Sequence, residues 1–215
     1  SCVPNIKDPW SIPSIDVDAV LIAIRMATQG ENLDLDINIP NTKEQRSFSL
    51  NLQILLGQLT QAVYEEKINY QSMIIHTTPL SYREFTKVSL RTFEEQRVIA
   101  IVNNDSMEEE EKLERFASAF RKLTDITIDT VRQGIHKIEV DGQSVTDQTH
   151  ISDFVLNCDK GFYNRVTDHI EQQKDRFAIK PMEVESTPEE IKLGAPAKFN
   201  VPVVLDMSIF FGSGS

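Results

Sequence analysis

A strict alternation of apolar and polar residues in the first quarter of the chain constrains the fold most. Leucine or isoleucine occupies every second position from Leu33 to Ile39, and aspartate or asparagine stands between them. A similar alternation returns from Phe48 to Leu52, beyond a short segment that begins at Pro40. Because successive side chains of a strand point to opposite faces of a sheet, the pattern predicts a hairpin with one buried face.

Apolar residues at helical spacing predict the helices. Val17, Val20, Leu21 and Ile24 recur with this spacing, and Gly30 follows where a helix often ends in a left-handed residue. Further helices are predicted over 52–63, 82–101, 113–123, 151–157 and 160–173. Ser81 with Glu84, and Ser106 with Glu109, have the spacing of a capping box at a helix start. The acidic run Glu108 to Glu111 would stabilise the positive end of the next helix dipole.

Turn residues place the remaining elements. A short strand is predicted at 73–75, and Asp141-Gly142 predicts the turn of a second hairpin over 135–146, since this pair adopts positive φ readily. Prolines at 181, 188, 196 and 202 argue against a helix in the last stretch and confine strands there to edges. The predicted class is α+β, with helices packed against two or three hairpins.

The domain organisation follows from these elements. We predict a single α+β domain over 1–215, with a hairpin subdomain formed by 33–52 and 191–205 and a mainly helical part over 81–175. The chain begins with Ser1 rather than Met, which leaves open whether an upstream segment exists.

Composition excludes several function classes. The 215 residues are 40% apolar and 26% charged, as in globular proteins, and the net charge of −11 opposes binding to nucleic-acid phosphate and to anionic membranes. The apolar runs are too short for a membrane helix. Cys2 and Cys158 are too few for a disulfide framework or a four-thiolate zinc site. These features predict a soluble protein of a reducing compartment, the cytoplasm.

Motifs for catalysis or cofactor binding are weak. Gly212 to Ser215 is glycine-rich, but no helix follows to complete a phosphate site. The histidines at 76, 136, 150 and 169 are far apart in the sequence, so no metal site and no cofactor are predicted. Cys158 with His150 is a candidate thiol nucleophile, although a lone cysteine after an apolar helix is more often a core residue.

Some residues are better candidates for partner binding. Arg25 lies beside the apolar stripe of the first predicted helix, where it either pairs with an acidic residue of the fold or reaches a partner. Phe210 and Phe211 either dock on the core of the chain or anchor a neighbouring subunit. The predicted partner-binding residues are Arg25, Tyr82, Phe93, Phe210 and Phe211.

Three segments in order resemble a family of baseplate hub and hub-assembly proteins of T4-like contractile-tailed bacteriophages. They are Asp16 to Gly30 (DVDAVLIAIRMATQG), Pro79 to Lys87 (PLSYREFTK) continuing to Thr92 to Arg97 (TFEEQR), and Asp206 to Gly212 (DMSIFFG). The resemblance spans nearly the whole chain. It implies a late viral protein without catalytic activity, located in the virion baseplate and, during assembly, in the host cytoplasm. The implied partners are hub and tape-measure proteins. Whether the chain also forms a homo-oligomer within a hub is left open.

The resemblance also implies a structural detail. Members of the family carry Cys-Pro-x-Cys where this chain has Ile39-Pro40-Asn41-Thr42, and a second cysteine pair where it has Gly194 to Ala197. The implied arrangement is a zinc-ribbon-like pair of hairpins in which apolar contact replaces the metal. Three alternatives stay open: a transient assembly chaperone absent from the virion, a thiol or acid–base enzyme that uses Cys158 with His150 or a carboxylate pair, and a regulatory scaffold of cellular origin.

Overall fold

The computed structural model describes residues 3–104, 108–203 and 205 and has an α+β fold with small antiparallel sheets. The described chain divides into two compact units. The hairpin unit contains the described residues within 1–5, 15–63 and 176–215, and the helical unit contains those within 6–14 and 64–175. In chain order the elements are 3-10 turns at Pro9–Ser11 and Ser14–Asp16, α1 (Val17–Gln29), β1 (Asn32–Asn38), β2 (Gln45–Asn51), α2 (Leu52–Gln61), β3 (Lys67–Tyr70), β4 (Met73–Thr77), α3 (Tyr82–Asn104), α4 (Glu109–Gly134), β5 (Ile135–Val140), β6 (Gln143–Val145), α5 (Gln148–Asn157), α6 (Lys160–Phe177), β7 (Met182–Glu185), α7 (Pro188–Lys192) and β8 (Lys198–Val201).

In the hairpin unit, the predicted first hairpin is confirmed. β1 and β2 pair antiparallel, with Leu33 opposite Leu50 and Leu35 opposite Phe48, so the apolar residues share one face. This face packs with α1 and α2 around an apolar cluster of buried residues: Ile22, Leu33, Leu50, Leu52, Leu55, Leu59 and Val203. Gly30 ends α1 with a φ of 92°, as its position predicts.

A second hairpin in the same unit pairs β7 with β8. A further apolar cluster joins it to the turn end of the first hairpin, and its buried members are Ile37, Ile39, Val184, Ala195 and Val201. The turn that contains Pro40 therefore lies beside the segment that begins at Gly194. Asn41 Nδ2 is 3.5 Å from the Gly194 carbonyl oxygen.

The helical unit is built on a four-stranded antiparallel sheet with the order β3-β4-β5-β6. Ile68, Ile75 and Ile138 lie opposite one another on three adjacent strands and are all buried. The side chains of Phe162 and Val166 from α6 join them in the core of this unit. The hairpin predicted over 135–146 is confirmed as β5 and β6, and Asp141 and Gly142 both have positive φ in its turn.

α3 and α4 form an antiparallel helical hairpin in the helical unit. Arg91 pairs with Asp129 and Glu95 pairs with Lys122, so residues advance along one helix while they recede along the other. The Ser81 hydroxyl accepts a hydrogen bond from the Glu84 backbone N–H at the start of α3, as the capping spacing predicts. At the start of α4 the cap position is Glu108, whose side chain makes no cap hydrogen bond, and Ser106 lies outside the described residues.

The prediction that prolines prevent a helix in the last stretch is wrong. α7 begins at Pro188, which occupies the first turn, where a helix needs no backbone N–H from that residue. Thr187 and Glu190 form a capping box in front of it. β7 begins at Met182, so the second hairpin also starts nine residues before the predicted boundary at 191.

Candidate functional site

Arg25 is a buried residue of α1 in the hairpin unit. It is only 9% exposed, and its Nε and Nη1 atoms are buried without a hydrogen-bond partner in the described part of the chain. A guanidinium carries five N–H donors and remains charged, so such burial is unfavourable unless acceptors are supplied. The sequence offers two interpretations of Arg25: an ion pair with an acidic residue of the fold, or contact with a partner. Among the described residues, no such ion pair is observed. A carboxylate or another anion from a partner would satisfy these donors.

Tyr82 packs within its own unit. Its ring stacks on Trp10, with centroids 5.5 Å apart, and its backbone N–H donates to the Ile12 carbonyl oxygen. The side chain is half-buried. These contacts give Tyr82 a structural role at the start of α3, and its predicted contact with a partner stays a prediction.

Phe93 belongs to an exposed apolar stripe on α3, on the side of that helix opposite Glu95, which pairs with Lys122 of α4. It is 64% exposed, and Leu90, about one turn before it, and Ile101, about two turns after it, are exposed as well. A separate exposed stripe lies on α4, where Leu113, Phe116 and Phe120 follow helical spacing; Leu113 is 68% exposed. The Phe116 and Phe120 rings contact each other with centroids 4.7 Å apart. Large apolar side chains that recur on one helix face are typical of a binding surface.

The stripe of α4 has an acidic border. Glu108, Glu109, Glu110 and Glu111 are all exposed at the start of α4, one turn from Leu113. Apolar side chains next to a run of negative charge suit an amphipathic partner with basic residues.

Phe210 and Phe211, the remaining predicted partner-binding residues, lie outside the described residues.

A groove of about 700 Å³ lies at the base of the helical hairpin, between the loop at 78–81 and the facing ends of α3 and α4. Its charged side chains have both signs, including Glu84, Lys87 and Arg91. Arg91 is 3.5 Å from Asp129, another residue of the groove. This mixture of charges selects no particular ligand.

Cys158, the candidate nucleophile, has a poor environment for that role. Burial and the neighbouring Asp159 carboxylate raise the pKa of the thiol, and Sγ donates a hydrogen bond to the Val155 carbonyl oxygen. His150 lies in the first turn of α5, whereas Cys158 follows its last turn, so roughly 12 Å of helix axis separates them. A thiol nucleophile needs a lowered pKa and an adjacent base, and this pair offers neither.

The described structure brings together four side chains that the sequence separates. His76 Nδ1 is 2.8 Å from Glu66 Oε1, and His76 Nε2 is 3.0 Å from Glu139 Oε1. His136 Nε2 is 3.4 Å from the same Glu66 oxygen. The His76 side chain is only 3% exposed, and it meets the His136 ring edge to face. We call Glu66, His76, His136 and Glu139 the His–Glu cluster.

Strand register explains how the His–Glu cluster forms. His76 lies on the central strand β4, opposite Lys137 of β5, while the next residue, Thr77, lies opposite Ile135. The register shift leaves His136 as an extra residue, and such a bulge can turn a side chain toward the opposite face of the sheet. Glu66 immediately precedes β3, where its carbonyl oxygen accepts both the backbone N–H and the hydroxyl of Thr77.

The charges of the His–Glu cluster are mutually stabilising. The hydrogen bond from His76 is the main reason that the pKa of Glu66 lies below its ordinary value. Lys137 Nζ is 2.7 Å from Glu139 Oε1 and lowers the pKa of that carboxyl in the same way. Both carboxylates are therefore held in their ionised form. Imidazole nitrogen and carboxylate oxygen are also ligands that transition metals accept.

Sequence reasoning missed this cluster because its signal is not local. His76 and His136 are 60 positions apart, and neither has a second histidine at helical or hairpin spacing. Only the pairing of β4 with β5, and the bulge within it, brings the rings together. The sequence would have indicated the cluster only if the register of β4 against β5 had been predicted.

Comparisons of this α+β chain with protein-family models, with curated proteins and with solved structures find no match. Among the described residues, every helix is too short or too polar to cross a membrane.

Proposed function

We propose that the chain is a non-enzymatic structural or assembly protein of the baseplate hub of a contractile-tailed bacteriophage. It acts through protein–protein contacts with hub or tape-measure proteins. The resemblance of three sequence segments suggests the biological setting, and the exposed apolar stripe of α4 next to the acidic run carries the argument for binding.

The first two of these segments coincide with elements that suit this role. Asp16 to Gly30 covers α1 and its C-terminal glycine, and includes the buried cation Arg25. Pro79 to Arg97 covers the loop before α3 and most of its length, including exposed Phe93. The third segment, Asp206 to Gly212, lies outside the described residues.

Charge identifies the kind of segment that the stripe would bind. The chain carries a net charge of −11, and its acidic run adjoins the apolar side chains of α4. An amphipathic helix with a basic flank would bury Leu113, Phe116 and Phe120 while its cations meet the glutamates. We therefore propose that the occupant is a basic helical segment of a hub or tape-measure protein.

The paired hairpins would supply a rigid platform without metal. Ile39 stands at a position where the family resemblance implies a cysteine, and it is buried in one apolar cluster with Ala195, which lies between the implied positions Gly194 and Ala197. We propose that this contact replaces the metal crosslink of a zinc-ribbon-like arrangement. Isoleucine, threonine, glycine and alanine at Ile39, Thr42, Gly194 and Ala197 provide no thiolate.

The test is copurification of tagged chain from phage-infected cells, with mass spectrometric identification of what it binds. We expect a hub or tape-measure protein with a basic amphipathic segment. Phe116→Glu combined with Phe120→Glu should abolish the association, because two carboxylates would be buried in an apolar contact. Ile54→Glu is the matched control, since Ile54 is 65% exposed and belongs to the hairpin unit, not to α3 or α4.

The outcomes separate the alternatives. Association lost in the double variant and kept in Ile54→Glu supports the proposal, and presence in purified virions distinguishes a hub component from a transient chaperone. Binding only to cellular proteins would favour a cellular scaffold. Self-association that depends on Phe116 and Phe120 would mean that a second copy of the chain covers the stripe of α4, and it would overturn the proposed occupant.

A further inference from the structure

We propose that the His–Glu cluster binds one divalent transition-metal ion of the zinc class, with Glu66, His76 and His136 as the ligands. This site is independent of the baseplate proposal, because it lies on the four-stranded sheet of the helical unit and involves none of the stripe residues. It is also distinct from the Pro40 turn, where the family resemblance implies lost cysteines.

The ligand atoms have suitable spacing. One atom from each of the three side chains lies within 4.8 Å of the other two. Zinc–ligand bonds of about 2.0–2.1 Å in a tetrahedron place neighbouring ligand atoms about 3.3–3.4 Å apart. The 3.4 Å between His136 Nε2 and Glu66 Oε1 matches this spacing, and the 2.8 Å hydrogen bond from His76 Nδ1 needs to lengthen by only about half an ångström.

The outer contacts orient His76 for coordination. If Nδ1 binds the ion, the remaining proton resides on Nε2, which is 3.0 Å from Glu139 Oε1. A histidine ligand commonly donates its other N–H to a carboxylate in this way, which fixes the ring and strengthens its bond to the metal. Lys137 holds Glu139 in turn at 2.7 Å. The arrangement is a chain from cation to carboxylate to imidazole to metal.

The backbone holds the site largely preformed. His76 is buried on a central strand, and the two hydrogen bonds from Thr77 to the Glu66 carbonyl oxygen fix the segment that carries the carboxylate. His136 is held by the bulge in β5, but its Nδ1 has no hydrogen-bond partner among the described residues. His136 is therefore the more adaptable of the two imidazole ligands.

A bound ion would link three parts of the sheet. Glu66 precedes β3, His76 belongs to β4 and His136 belongs to β5. An ion that binds the folded chain but not the unfolded chain stabilises the fold in proportion to the logarithm of its concentration above Kd. Three protein ligands leave a fourth tetrahedral position for water or for a side chain of another protein.

The test uses the full chain, stripped of metal with a chelator and titrated with ZnCl2 by calorimetry. CoCl2 serves as a spectroscopic probe, because tetrahedral Co²⁺ with nitrogen and oxygen ligands absorbs in the visible range. We expect one equivalent of tightly bound ion, visible Co²⁺ bands that zinc abolishes, and a higher Tm in the presence of zinc.

Variants locate the ion. His136→Ala should weaken binding by at least about 100-fold, and Glu139→Gln by about 10–100-fold, since outer partners contribute that much. His150→Ala is the matched control, because His150 is an exposed histidine of the same unit outside the cluster. Circular dichroism of each apo variant checks folding. His136 is partly exposed, so its replacement should leave the core intact.

Two results would overturn the proposal. The first is the absence of stoichiometric zinc binding at micromolar concentrations, which would make the cluster a hydrogen-bonded ion network only. The second is binding that His136→Ala and His150→Ala reduce equally, or not at all, which would assign the ion to scattered surface carboxylates. Because folding and metal content are measured directly, neither result depends on the baseplate function.

Discussion

Asn41 and Gly194 are 153 positions apart, yet the Asn41 side-chain amide lies 3.5 Å from the Gly194 carbonyl oxygen. Both residues have positive φ, so each stands in a tight turn where the backbone is open to approach. Behind them, Ile39 and Ala195 are buried in the same apolar cluster. The polar contact marks the rim of this junction, and apolar burial holds the two hairpins together.

The first prediction tests that junction. Ile39→Ala should lower the free energy of unfolding by about 2–5 kcal/mol, because it leaves a cavity at a residue that is almost completely buried. Ile54→Ala removes the same atoms from an exposed position and should change stability by less than about 0.5 kcal/mol. Urea unfolding followed by circular dichroism measures both. If both variants lost the same free energy of unfolding, the burial of Ile39 at the junction would contribute nothing to stability.

Local patterns predicted much of the fold for physical reasons that act over short distances. Alternation specified β1 and β2, helical spacing specified α1 and α5, and helical spacing with the Ser81–Glu84 cap specified α3. α7 was missed because the prolines were interpreted only as helix breakers, whereas Pro188 begins a helix. β3 was also missed, since four residues carry little periodicity.

The functional surfaces were less predictable. The spacing of Leu113, Phe116 and Phe120 predicted a helix stripe correctly, but spacing alone does not say whether a stripe faces a core or solvent, and here it is largely exposed. The His–Glu cluster depends on strand register and a bulge, which follow from long-range pairing. The likeness of the two hairpins to a zinc ribbon stays a prediction.

The second prediction concerns the buried cation of α1. Arg25→Met keeps the length of the side chain and removes donors that have no acceptor in the described chain, so we expect the free energy of unfolding to rise by about 1–3 kcal/mol. The same variant should lose affinity for the proposed partner, since a residue kept at a cost in stability is typical of a binding site. Arg97→Met, at an exposed arginine, is the control for both measurements. A less stable Arg25→Met variant would mean that the guanidinium is satisfied in the free protein.

The third prediction is a pH dependence at Asp159. Its carboxylate accepts hydrogen bonds from the Tyr70 hydroxyl at 2.7 Å and from the Phe162 backbone N–H at 2.9 Å. These bonds lower the pKa of Asp159 below its ordinary value of 3.8. A carboxyl with a lowered pKa in the folded state stabilises the fold above the unfolded-state pKa, and this contribution disappears as the pH falls through the folded-state pKa.

Asp159→Asn isolates this effect, because asparagine retains a cap acceptor without the charge. Urea unfolding should find the variant less stable than the original chain at pH 7, and the difference should shrink as the pH falls below about 4. Asp168→Asn, at an exposed aspartate of α6, controls for the loss of one negative charge. A difference that is constant from pH 7 to pH 3 would contradict the assignment.

The last prediction tests the thiol-enzyme alternative through the reactivity of Cys158. Burial is the main cause of its raised pKa, and the Asp159 carboxylate adds to it, so the thiolate fraction at pH 7 is smaller than in a free cysteine. In a Cys2→Ser background, the reaction of Cys158 with a disulfide reagent at pH 7 should be slower than that of free cysteine. Unfolding in urea should remove the difference, because it removes the burial. A folded-state rate above that of free cysteine would instead indicate an activated thiol and restore catalysis as a candidate function.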